Sequence, residues 1–281
     1  MLFKDNSFDH KIFMMRSILR CILYWAVFIG LLVVSGRLAF LFPAPFSRLL
    51  YGVLGSVGAF FTTWAFLKYE KQSWAGIGLV WEKGTIGRFF KGILIGSLIF
   101  GFILLILMLF SDYRLQRSNH TPGWQMLISW LTLIPLALME DVAFRSYPFL
   151  KLNKAMGLRV SQVIVAVAFA LYHVTNGWSW YVAFTGPFVW SFVFGLAAVW
   201  SRGIAVTVGI HFILNVLQSF LGIKESRSAE ALARAEHTGL AAQLVVLAGA
   251  LLMMEYFIRK KGERPISKKD PAWAYSADDH K

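Results

Sequence analysis

The 281-residue chain has one cysteine, Cys21, and little charge. Asp, Glu, Lys and Arg make up 15% of it, and the acidic residues are the scarcer, at 15 against 28 basic ones. A lone cysteine excludes an internal disulfide and a thiolate metal site, and buried filler is its expected role. Ser/Gly-rich linkers, low-complexity blocks and internal repeats are also missing, which excludes a string of domains. So little charge, beside 57% hydrophobic and 16% aromatic residues, excludes an ordinary soluble domain.

What is present is hydrocarbon. Stretches near the roughly 20 residues needed to cross about 30 Å of bilayer predict an all-α, polytopic membrane helix bundle with about eight transmembrane helices. The predicted spans are 18–42, 46–67, 89–110, 124–150, 158–175, 180–200, 203–221 and 238–258. The first lacks a small-residue cleavage site and is expected to stay in the mature protein. Residues 1–258 form the membrane domain. Residues 259–281 form a basic, polar tail suited to anionic headgroups. The segment 73–92 mixes Trp74, Trp81, Phe89 and Phe90 with Lys83, Arg88 and Lys91, as an interfacial segment or an aromatic-belt loop does.

A formal charge of +13 raises nucleic acid as a partner, but the basic residues cluster between spans. With a cytoplasmic N-terminus, inner segments hold 20 Lys and Arg and outer loops hold 7, among them Arg114, Arg117, Lys224, Arg227 and Arg234; the last is Arg145, within a span. This distribution places both termini in the cytoplasm of a multi-pass protein, at the cell membrane if the source is bacterial. It also assigns the charge to the lipid bilayer rather than to nucleic acid. The triplet Asn119-His120-Thr121 matches a glycosylation acceptor but is too common to carry weight.

Charged side chains at bilayer depth cost at least about 2.5 kcal/mol each on insertion scales, so each one demands a reason. The stretch MEDVAFR, residues 139–145, holds three. Asp141 and Arg145 are four apart and can neutralise each other on one helix face. Glu140 points about 100° away from Asp141, without an obvious local partner. Two more spans carry polar groups at i, i+4: Phe169 with His173, and His211 with Asn215. Counted from the assumed cytoplasmic ends, Glu140, His211, Asn215 and His173 lie at depths of roughly 15, 12, 18 and 22 Å. One carboxylate, two imidazoles and an amide in one layer supply the parts for general acid/base chemistry with oxyanion stabilisation.

These three segments resemble the signature of the CAAX protease and bacteriocin-processing family of intramembrane proteases. That signature is Glu-Glu-x-x-x-Arg, then Phe-x-x-x-His, then His-x-x-x-Asn/Asp, on separate helices. Here it reads Glu140-Asp141-x-x-x-Arg145, Phe169-x-x-x-His173 and His211-x-x-x-Asn215, over a motif-bearing core of about 120–222. The resemblance implies an intramembrane endopeptidase acting on a peptide or membrane-protein substrate. Glu140, aided by His173, would activate water, and His211 with Asn215 would hold the oxyanion. Arg145 would be structural, with Asp141 and Phe169 supporting. Members of the family are described both as metal-dependent and as glutamate proteases. No cofactor is expected here; if the site is metal-dependent, Glu140, His173 and His211 are the ligands and zinc the candidate, although no His-Glu-x-x-His pairing is present. Asp141 stands where the family has a second glutamate, and Ser146 where it commonly has glycine.

The alternative is a non-enzymatic or degenerate member, acting as a bacteriocin-immunity or proton-linked transport protein. A proton relay uses Glu and His but has no need of the non-titrating Asn215 beside His211. A lipid-modifying enzyme would carry an Asp-rich magnesium motif, and Asp141 is the only aspartate within the predicted spans.

Overall fold

A computed structural model describes residues 6–43, 46–111, 123–220 and 229–262. Arg114, Arg117, the triplet 119–121, Lys224, Arg227 and all of the tail beyond residue 262 lie outside these residues. Among the described residues there are nine α-helices and no strand: α1 (Asn6–Ala39), α2 (Phe46–Glu70), α3 (Thr85–Phe110), α4 (Gly123–Arg145), α5 (Tyr147–Thr175), α6 (Trp180–Thr185), α7 (Pro187–Ser201), α8 (Ala205–Phe220) and α9 (Ala229–Gly262). The protein is a polytopic helical bundle. Helices satisfy every backbone group internally, as a lipid environment requires.

All eight predicted spans fall on helices, but not one to one. Six stretches are long and apolar enough to cross a membrane, and Met126–Thr175 counts among them as a single stretch of 50 residues. Within it the chain breaks at Ser146 (φ −101°, ψ −109°). The predicted fourth span therefore ends at Arg145 instead of 150, and Pro148, which lacks an N–H, sits in the first turn of the next helix. A second break follows at Gly157, whose φ of 77° lies in the left-handed region that favours glycine. The predicted span 180–200 is divided at Gly186 into α6 and α7, and α8 is shorter than a full crossing. In the segment 73–92, a 3₁₀ turn at Ala75–Ile77 precedes α3.

Burial sorts the helices. Leu94, Leu98, Phe102, Leu105 and Leu109 on α3 are exposed, which makes α3 a lipid-facing wall. Residues 141–150 at the junction of α4 and α5 are all buried, and so is nearly all of α7. The core therefore forms around the ends of α4, α5, α7 and α8.

Small residues set the closest approaches. A Cβ on Gly92 of α3 would fall on the Val206 carbonyl and lie 3.0 Å from the Gly209 Cα on α8. A Cβ on Gly209 would meet the Phe89 carbonyl. Gly96 faces Ile210 and Ile213 in the same way, so α3 presents a Gly-xxx-Gly seam to α8. This contact holds the α8 backbone two residues before His211. On the other side of the bundle, Gly52 and Gly55 of α2 admit Pro135, Leu136 and Met139 of α4, the last immediately before Glu140.

One ionic node ties three helices together. Glu70, at the end of α2, accepts from Arg20 of α1 at 2.7 Å and from Lys151 of α5 at 2.7 and 2.8 Å, and the Tyr147 hydroxyl donates to it at 2.9 Å. Its side chain is 4% exposed. Glu70→Ala strands Lys151, itself 9% exposed, as an unpaired buried charge. Breaking a buried pair in this way costs about 3–5 kcal/mol, so a clear drop in apparent Tm of the detergent-solubilised protein is expected, with partial recovery in Glu70→Ala/Lys151→Met.

Candidate active site

The last turn of α4 brings Glu140, Asp141 and Arg145 into the core. Arg145 has 0% side-chain exposure, and its Nε lies 3.7 Å from Asp141 Oδ1. That separation is an ion pair without hydrogen-bond geometry. The guanidinium is held more closely by what surrounds it. Nη2 donates to Ser191 Oγ at 3.2 Å, and the group lies 3.9 Å above the Phe169 ring, with Phe194 at 5.1 Å and Phe144 at 5.8 Å. Each desolvated cation–π contact of this kind supplies up to about 2 kcal/mol.

Those same rings seat the two histidines. Phe169 meets His173 edge-on at 4.5 Å and 80°, and Phe194 stacks on His211 at 4.5 Å and 23°. Each imidazole is thus one aromatic ring away from Arg145. His173 Nδ1 lies 2.8 Å from the Phe169 carbonyl. A carbonyl only accepts, so Nδ1 carries the proton, and the neutral ring keeps Nε2 as its free acceptor.

His211 lies between two carboxylates. Its Nε2 is 3.4 Å from Glu140 Oε2 and its Nδ1 is 3.5 Å from Asp141 Oδ2. Glu140, without a partner along its own helix, is therefore matched across the bundle by α8. Asp141 faces both Arg145 and His211, with both oxygens buried. It is not confined to the pair with Arg145 that helical spacing suggests. Ser146, at the position where the family commonly has glycine, is buried and donates its hydroxyl to the Val142 carbonyl.

A cavity of about 560 Å³ opens beside this cluster. Phe169, His173, Phe194, His211 and Asn215 are on its wall, whereas Glu140 and Asp141 are not on it and reach it only through their contacts with His211. Glu140 is 14% exposed and Asp141 fully buried. His173, His211 and Asn215 thus share one cavity, and Glu140 adjoins it through His211. The remaining wall comes from α3 (Phe100, Ile103, Leu104, Leu107), from Trp178 and α6, and from α9. Such a volume is ample for several peptide residues or a small ligand.

Sequence reasoning passed over four residues that the structure brings to this site. Ser191 and Phe194 belong to a span with no charged residue to draw attention. Gln218, one turn beyond Asn215 on the same face of α8, and Gln243 of α9 also line the cavity. Both glutamines were legible as polar residues inside apolar segments.

Among the described residues, no three His, Cys, Asp or Glu side chains converge closely enough to hold an ion. His211 has both ring nitrogens turned to carboxylates, and His173 has Nδ1 on a backbone carbonyl. The side chains of Glu140, His173 and His211 as they stand do not form a metal site.

A protein-family model described as type II CAAX prenyl endopeptidase Rce1-like matches residues 121–217. No curated protein matches the chain. The matched stretch contains Glu140, Asp141, Arg145, Phe169, His173, His211 and Asn215, and it supplies the helices α4, α5, α7 and α8 that build the cluster. The match over residues 121–217 is in line with the resemblance of the three motifs to the CAAX protease and bacteriocin-processing family of intramembrane proteases.

Proposed function

We propose that the protein is an intramembrane endopeptidase that uses its own side chains, without a metal, to add water to a peptide bond of a peptide or membrane-protein substrate. The observation that carries this reading is the convergence of His173, His211 and Asn215 on one apolar-walled cavity, with the Glu140 carboxylate 3.4 Å from His211.

In this mechanism the substrate carbonyl lies between His211 and Asn215. Water is oriented by His173 Nε2 and gives a proton to Glu140 as its oxygen bonds to the carbonyl carbon. The oxygen that becomes negative is met by the Asn215 amide and by His211 Nε2–H, which faces Glu140 in the free protein. Collapse of the tetrahedral intermediate breaks the C–N bond, and Glu140 returns its proton to the leaving nitrogen. Asp141, 3.5 Å from Nδ1 of His211, holds that ring in orientation when both ring nitrogens carry a proton. The largely apolar wall of the cavity lowers the local dielectric, which strengthens each of these interactions.

The direct test compares membrane peptide profiles of cells that carry the wild-type protein with profiles from Glu140→Gln or His211→Ala cells. At equal protein abundance, a set of cleavage products is expected only with the wild type. Unchanged products in both variants sink the proposal. Once a substrate is in hand, Asn215→Ala should lower kcat by about 10²–10³ with little change in KM, since an oxyanion donor acts on the transition state. Cleavage should persist in a strong divalent-metal chelator, and chelator inhibition reversed by added zinc would favour a metalloprotease. Arg145→Lys keeps the charge but loses the planar face that rests on Phe169. It is expected to lower both Tm and kcat, read by thermal unfolding and by the same cleavage assay.

A further inference from the structure

Apart from the motif residues, the cavity wall is mostly hydrocarbon, and one buried polar atom on it has no partner. Gln243 is the only polar side chain in the stretch 239–254 of α9. Together with Gly239 and Leu240 it lines the cavity. Its Oε1 is buried and makes no hydrogen bond. Gln218, the other glutamine on the wall, is exposed and needs no explanation.

A buried carbonyl oxygen left unpaired at membrane depth is costly. Membrane glutamines commonly discharge that cost by bonding a neighbouring helix. Here α9 packs on α3 and α7, yet neither supplies a donor to Oε1. One turn earlier, the residue that Gly239 faces is Leu107, with its side chain 3.7 Å from where a Cβ would stand. The absence of a side chain at 239 leaves the cavity open directly beside the Gln243 amide.

A peptide bond can be attacked only when its carbonyl is free of helical hydrogen bonds, so a segment threaded past His211 and Asn215 must be extended. Each residue of such a segment brings an N–H and a C=O that an apolar wall cannot satisfy. A glutamine amide offers one acceptor and two donors in one plane, and rotation about its last side-chain bond lets either atom face the cavity. This complements the backbone edge of an extended chain.

We infer that Gln243 is a substrate-binding residue that hydrogen-bonds the backbone of an extended peptide segment. This deepens the peptidase reading of the cavity and rests on it. It also extends the substrate site beyond the matched residues 121–217, onto a helix outside them.

The test uses the full-length protein in detergent and a fluorescent peptide ending in S-farnesylcysteine and three further residues, with its scissile amide reduced to prevent cleavage. Binding is read by anisotropy. The wild type should bind, and the volume-matched Gln243→Met should bind about three- to tenfold more weakly, as for loss of one neutral hydrogen bond. Esters replacing successive backbone amides then remove one N–H at a time. One ester should weaken binding to the wild type and leave binding to Gln243→Met unchanged, a pattern that general damage to the fold does not produce. Equal binding by wild type and Gln243→Met at every ester position overturns the inference. A peptide that binds in this pattern while its cleavable parent stays intact sinks the peptidase reading and leaves the binding role standing. No binding to the wild type overturns both.

Discussion

A guanidinium with no exposed surface, inside a bundle of hydrocarbon helices, is the constraint on which the rest of the site depends. Arg145 cannot be deprotonated at ordinary pH and cannot reach water, so the protein has to surround it. It does so with one carboxylate, Asp141, one hydroxyl, Ser191, and three aromatic rings. Phe169 and Phe194 touch Arg145 on one side and a histidine on the other. The groups that make the charge tolerable therefore also orient the imidazoles, and they come from α4, α5 and α7.

The ionic contacts of this cluster are loose, at 3.4–3.7 Å, whereas the backbone around it is tight. Glycine seams bring α3 against α8 backbone to backbone, and let side chains of α4 reach the backbone of α2. Rigid helices with polar groups not yet locked to one another suit a site whose hydrogen bonds close only when a substrate arrives. The apolar walls from α3, α6 and α9 complete the cavity, and α3 and α9 carry exposed hydrocarbon on their outer faces, as lipid contact requires.

How much of this was legible depended on whether the signal was local. Polar residues inside hydrocarbon stand out along the chain, and so Glu140, His173, His211 and Asn215 were all recognisable from their positions. Helical spacing correctly put Asp141 beside Arg145. It could not show that Asp141 also faces His211 seventy residues on, or that Glu140 meets the same ring. Hydropathy found the helices but misplaced the break after α4, because Phe149 and Leu150 are as apolar as the span before them; a backbone turn at Ser146 ends the helix there. Glu70 reads as a surface charge beside basic loops, and only the packing of α1, α2 and α5 makes it a buried node. Gln243 was visible as polar, but its lack of a partner is a property of its neighbours.

The sequence by itself determined that this chain lives in a bilayer, and which side chains within it required a reason. Both follow from transfer energies that each residue carries wherever it goes. Only the tertiary structure decided which of those side chains meet, which of them line the cavity, and which atom is left unpaired. Such contacts join residues far apart in the chain, and their geometry is set by how closely whole helices can approach.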